Sequence, residues 1–136
     1  TTPEIRYLSI NNNKVNIILP QTFKGLLALV YLDMDRNDIV SLRLGTFNKT
    51  PEIRYLLIDN NKVNVNIILP QTFKGLRELV YLDMDRNDIV SLRQFTFSAL
   101  TTLSELILSH NYISHISEHA FHGLANLDFL ELSGNR

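Results

Sequence analysis

The sequence predicts a repeat solenoid built on a ribbon of short parallel strands, and three observations carry that expectation. A long block occurs twice almost unchanged, a shorter apolar pattern recurs inside it, and each unit closes on a Phe at one phase. The stretch 3–48 returns as 51–98, with Val65-Asn66 as a two-residue insertion. Of 46 aligned positions only seven differ, at 9/57, 11/59, 27/77, 28/78, 44/94, 45/95 and 48/98. Even the polar string Asp-Arg-Asn-Asp is kept at 35–38 and 85–88. Packing does not demand identical exposed residues, so the two stretches read as copies of one two-repeat block.

The shorter pattern is anchored on Asn. It opens as Ile5-x-x-Leu8-x-Ile10-x-x-Asn13 and continues as Leu29-x-x-Leu32-x-Met34-x-x-Asn37. The third and fourth turns read Ile53-x-x-Leu56-x-Ile58-x-x-Asn61 and Leu79-x-x-Leu82-x-Met84-x-x-Asn87. Leu103-x-x-Leu106-x-Leu108-x-x-Asn111 and Leu127-x-x-Leu130-x-Leu132-x-x-Asn135 complete the series. Starts are spaced by 24, 24, 26, 24 and 24 residues, which sets repeats at 5–28, 29–52, 53–78, 79–102 and 103–126 and a partial one at 127–136, all in one domain. Two further aliphatic residues follow the Asn, as in Val15/Ile18, Ile39/Leu42, Ile89/Leu92 and Ile113/Ile116. Phe then closes the unit at 23, 47, 73, 97 and 121, five of the seven in the chain.

Each part of the unit has a physical task. The alternation at Leu8 and Ile10 has period two, so both side chains point to one face of a short strand. Successive strands stacked in parallel at about 4.8 Å give a six-strand ribbon roughly 25 Å wide. The Asn amide offers donors and an acceptor to loop peptides of its own and the adjacent turn. An aliphatic residue there would leave buried peptide groups unpaired at about 1–3 kcal/mol each. The column Asn13, Asn37, Asn61, Asn87, Asn111 and Asn135 is therefore a structural ladder. The Phe column fills the wider back of the coil, each ring contributing roughly 1.5–3 kcal/mol before chain entropy is subtracted. One turn cannot bury its own apolar face, whereas five complete turns exceed the three or so that stability requires.

At these residues the pattern resembles the 24-residue leucine-rich repeat of extracellular animal proteins, the kind found in Toll-like receptor ectodomains, lamprey variable lymphocyte receptors and Slit-like guidance proteins. The resemblance implies an α/β repeat solenoid, a right-handed superhelix forming a horseshoe segment. Its parallel sheet would line the concave face, with loops and short 3-10 turns on the convex face. It also implies non-enzymatic protein recognition at the cell surface or outside the cell, as part of a longer chain, in immunity, adhesion or guidance. Members of the family seal their arrays with Cys-rich caps, and this sequence contains no Cys. Uncapped ends expose core residues and an unpaired strand edge, so end-to-end self-association is expected of them.

Two irregularities stand out. The insertion in NKVNVNIILP is expected to bulge outward before the chain rejoins at Ile67-Ile68. Thr50 stands where the other repeats have Leu26, Leu76, Leu100 and Leu124, and with Pro51 behind it should loosen the junction between repeats two and three.

In this register the outward strand residues form the candidate ligand-binding face. One column reads Tyr7, Tyr31, Tyr55, Tyr81, Glu105 and Phe129, and beside it lie Asp33 and Asp83. A third carries Asp35, Asp59 and Asp85, flanked by Arg36 and Arg86. Tyr supplies broad amphipathic contact with little rotamer entropy to lose, and the acids favour a basic protein partner. The competing reading is that stacked Tyr residues serve cross-strand packing, worth about 0.2–1 kcal/mol per pair. Duplication reduces the four Tyr to two independent choices.

Chemistry of other kinds finds little support. A net charge of −1 removes the global electrostatic case for nucleic acid or an anionic membrane, and no window approaches the roughly 20 apolar residues of a membrane span. The absence of Cys excludes disulfides, thiol nucleophiles and Cys-ligated zinc. The four His gather in repeat five as His110, His115, His119 and His122, but only the last two, on either side of Phe121, are placed to meet, which is too few for a metal. No triad or phosphate-cradling glycine loop is legible, and no cofactor is implied. Asn48-Lys49-Thr50 is the one N-glycosylation pattern, with Pro51 behind it to disfavour modification. The expected function is protein recognition on the concave face; the alternative is a structural or engineered module that self-associates end to end without a ligand of its own.

Overall fold

A computed structural model describes residues 4–64 and 70–136. Each apolar pattern forms one three-residue strand: β1 (Tyr7–Ser9), β3 (Tyr31–Asp33), β5 (Tyr55–Leu57), β6 (Tyr81–Asp83), β8 (Glu105–Ile107) and β10 (Phe129–Glu131). They pair in parallel as one six-stranded sheet in the order β1-β3-β5-β6-β8-β10. The register is fixed by the pattern. Leu8, Leu32, Leu56, Leu82, Leu106 and Leu130 lie opposite one another in succession. A shift of one residue would turn every inward Leu to the solvent side.

A second set of short strands lies beyond the Asn motif. Strands β2 (Ile17–Ile18) and β4 (Ser41–Leu42) pair in parallel, as do β7 (Ser91–Leu92) and β9 (His115–Ile116). They carry the second of the two extra aliphatic positions of the repeat, and Ile18, Leu42 and Leu92 are buried. The matching positions of repeat three, Ile67 and Ile68, lie outside the described residues, as does the outward bulge expected at Val65-Asn66.

The α/β expectation is corrected here: among the described residues there is no helix, α or 3-10, and the chain is a parallel-strand β-solenoid. The returning side is made of successive turns. In the first repeat Thr22, Lys24 and Leu26 each donate N–H to the carbonyl three residues earlier, at Leu19, Gln21 and Phe23. These bonds skip every second residue, so no continuous helical ladder builds up.

The ladder of amides fastens each turn to the one before it. Asn61 accepts from Ile39 N–H at 3.0 Å and donates to the Met34, Ile58 and Asp59 carbonyls. Asn37, Asn87, Asn111 and Asn135 repeat this, accepting from Val15, Val63, Ile89 and Ile113. Asn13, in the first turn, has only the local carbonyls of Ile10 and Asn11. The residue before each of them has left-handed backbone, with φ between 53° and 57° from Asn12 to His110. That kink swings the amide beneath the sheet; it strains Arg36 and Arg86 and suits Asn12 and Asn60.

The back of the coil is closed by stacked rings, Phe47–Phe73, Phe73–Phe97 and Phe97–Phe121, with centroids 6.2–6.4 Å apart. The loosening expected at Thr50 has no counterpart in the packing. Thr50 is fully buried, its hydroxyl donates to the Phe47 carbonyl at 3.3 Å, and β3 and β5 pair in register across the junction.

Candidate functional site

The period-two alternation that buries Leu32 and Leu56 turns Tyr31 and Tyr55 to the opposite face of the sheet. Tyr7, Tyr31, Tyr55, Tyr81, Glu105 and Phe129 stand in one file across the six strands. The Tyr7 and Tyr31 rings stack with centroids 4.6 Å apart, and Tyr31 and Tyr55 lie tilted at 5.7 Å. Tyr7, Tyr55, Glu105 and Phe129 are exposed, whereas Tyr31 and Tyr81 are half-buried among their neighbours. Burial, reinforced by Asp83 and other nearby acids, pushes the Tyr81 phenol up to about 12.

The acids are less uniform than their spacing suggests. Asp33 is only 6% exposed, so its carboxylate is committed to the protein rather than offered outward. It accepts from Ser9 Oγ, Asn11 Nδ2 and the Asp35 backbone N–H. Asp83 repeats the last of these bonds with Asp85 N–H, yet burial pushes its carboxyl up to about 6. Asp85 is tied down differently. Burial acts to raise it, but hydrogen bonds from Ser109 Oγ at 2.7 Å and His110 at 3.0 Å, with the adjacent Arg86 guanidinium, hold it below the usual carboxylate range. Arg36 and Arg86 are exposed.

Asp35 and Asp59 meet at the centre of this face. Asp35 Oδ1 and Asp59 Oδ1 are both buried, and neither has a donor from another residue. Asn60 Nδ2 reaches only the other Asp59 oxygen. Burial, then hydrogen bonding to Asp59 and Asp33, pushes the Asp35 carboxyl up to about 9, so at neutral pH it keeps a proton and is itself the missing donor. The unfolded chain sheds that proton near the ordinary value of 3.8, so Asp35 stabilises the fold fully below that pH and the contribution fades as pH rises through about 9. Asp83 adds a slope of the same sign up to about 6. Asp35→Asn keeps a donor and removes the titration. Its melting temperature should match the parent near pH 4 and exceed it by a margin that widens toward pH 9. Parallel melting curves for the two chains across that range would contradict a proton at Asp35.

The His cluster divides. His110 pairs with Asp85, His115 lies on β9, and His119 and His122 do meet, with ring centroids 6.2 Å apart. Both pack on Phe95, an aromatic contact the spacing of the His residues did not announce. Among the described residues no three His, Asp or Glu side chains converge as metal ligands would. Asn48 is exposed on the turn side, while Thr50 of its glycosylation pattern is fully buried.

The leucine-rich-repeat pattern matches residues 3–63, 35–89 and 77–136, virtually the whole chain. The chain belongs to the leucine-rich-repeat family. Among solved structures, this leucine-rich-repeat chain is similar to the crystal structure of a TLR13–ssRNA13 complex, at 26% identity with a TM-score of 0.70. The match covers 96% of this chain and 21% of the other, so the chain spans about a fifth of that protein's length. Its repeats are thus of the Toll-like type. No curated protein matches it.

Proposed function

We propose that this leucine-rich-repeat segment is a non-enzymatic recognition module that binds a protein ligand on its concave sheet face. The observation carrying this reading is the file Tyr7, Tyr31, Tyr55 and Tyr81, held in register beside Asp59, Asp83 and Asp85. Rigid aromatic anchors supply contact area and the neighbouring carboxylates select a partner bearing Lys or Arg. Arg36 and Arg86 at the rim fix orientation. Asp33 acts from beneath by holding the strand ends, and Glu105 and Phe129 extend the surface toward the last turn. The setting is a longer extracellular or cell-surface protein, supported by the similarity to a fifth of TLR13.

The RNA of that complex is not carried over to this face, because its acids would repel a phosphate backbone. The alternative reading is end-to-end self-association without a ligand of its own. Its mark is a mass that rises with concentration.

The test is selection of displayed random peptides on the immobilised chain. Peptides rich in Lys and Arg should emerge. Tyr31→Ala with Tyr81→Ala should weaken the selected peptides about 100-fold, the scale of two aromatic hot spots. Unchanged affinity in a variant that still melts cooperatively would reduce the Tyr file to packing.

A further inference from the structure

The turn side of the solenoid holds a cavity of about 320 Å³ between the first and second turns, lined by Pro20, Gln21, Lys24, Gly45, Asn48 and Lys49. That volume is at the lower end of small-ligand pockets. The lining brings two ammonium groups, two carboxamides and the apolar face of a prolyl ring to one place, and no carboxylate is among them. Among the described residues, Lys62–Asp38, Arg86–Asp85 and His110–Asp85 form ion pairs, and neither Lys24 nor Lys49 is a member of one of these. The cavity therefore offers two cationic side chains and no acid to an incoming group.

The duplicated block supplies an internal comparison. Pro20, Gln21 and Lys24 are copied as Pro70, Gln71 and Lys74, but Gly45 and Asn48 become Phe95 and Ser98, and Ala99 follows where Lys49 stands. Three of the seven differences between the copies, 44/94, 45/95 and 48/98, fall on this one turn. The two turns keep the same backbone sign, with φ of +86° at Gly45 and +62° at Phe95. One copy leaves the position open beside two lysines; the other fills it with a ring that packs on His119 and His122.

The geometry points to a binding site for a sugar ring carrying a sulfate or phosphate ester, seated between Lys24 and Lys49. The two ammonium groups take the ester oxygens as charge-assisted hydrogen bonds. Gln21 and Asn48 offer both donors and acceptors to ring hydroxyls. Pro20 covers the apolar face of the ring, and the missing side chain at Gly45 leaves room for it. This site is independent of the sheet face and its protein ligand.

Titration of the whole chain with glucosamine 6-sulfate and glucose 6-phosphate, followed by backbone amide NMR, tests the assignment. Shifts should appear at Gln21, Lys24, Gly45, Asn48 and Lys49, and the tighter of the two sugars identifies the ester. Lys24→Gln with Lys49→Gln should weaken binding about ten-fold, as expected for two solvent-exposed ion pairs, whereas Lys74→Gln should leave it unchanged. Three results would overturn the site: no shift with either sugar at about 10 mM, where even millimolar affinity would saturate; equal binding of inorganic sulfate; or equal losses from Lys74→Gln. Saturable shifts at the same residues with a short RNA but neither sugar would overturn it in favour of a nucleic acid.

Discussion

Asn87→Leu is expected to destabilise the chain by about 2–4 kcal/mol, while Asn13→Leu costs under about 1 kcal/mol. The two residues occupy the same place in the repeat and differ only in their neighbours. Asn87 is buried, accepts from Val63 N–H at 3.0 Å, and donates to the Ile58 and Met84 carbonyls at 3.0 Å each. Those carbonyls keep second partners in Asn61 and Asn111, but the Val63 N–H is left without one. An orphaned buried donor carries its full desolvation cost, and the lost bonds between turns add to it. Asn13 is exposed and bonds only within its own turn, so water replaces what it loses. Urea unfolding of the two variants measures the difference directly. Equal losses would mean that the amides act as local turn residues and not as links between turns.

Phe73→Ala is expected to cost about 3–5 kcal/mol, the range for deleting a buried aromatic ring. Phe73 is fully buried and stacks on Phe47 on one side and Phe97 on the other, so its loss opens a void with packed rings at both ends. Gly75 brings the same turn tight against the one before it. With φ of +105° and a would-be Cβ only 2.5 Å from the Phe47 carbonyl oxygen, this close approach of the two turns admits only glycine. Phe121 has one stacked neighbour and is only half-buried, and Phe121→Ala should cost roughly half as much. Because each turn touches only the next, the interior deletion should also lower the urea m-value by letting the two halves unfold separately. An unchanged m-value with a small loss of stability would show that the void collapses.

How far the sequence reaches depends on the range of the interaction. Strand positions, register and the amide ladder were legible because they recur at one phase and answer to a single-turn rule: Leu8 inward, Tyr7 outward, Asn13 beneath. The file of Tyr was legible for the same reason. What lies between turns was not. Asp33 and Asp83 share a phase, yet Ser9 and Asn11 close over Asp33 while Leu57 and Ile107 flank Asp83, and these neighbours from other turns decide how far each is buried. The proton on Asp35 depends on Asp59, 24 residues away, turning its carboxylate toward it. The helical detail implied by the family resemblance gave way to turns, since the returning segment closes by separate i to i+3 bonds. The cavity beside Gly45 left a trace in the sequence, the clustered differences at 44/94, 45/95 and 48/98, but a trace with no volume or charge attached.

The central claim is that recognition takes place on the sheet face through the Tyr file, and NMR of the chain carrying ring-labelled Tyr tests it most directly. Addition of a Lys/Arg-rich peptide from the display selection should shift the ring signals of Tyr31, Tyr55 and Tyr81 together, saturating with one affinity and leaving unmoved Tyr112, which lies between β8 and β9 with the Arg136 guanidinium over its ring. Saturable binding of that peptide with the three rings unshifted would contradict the account.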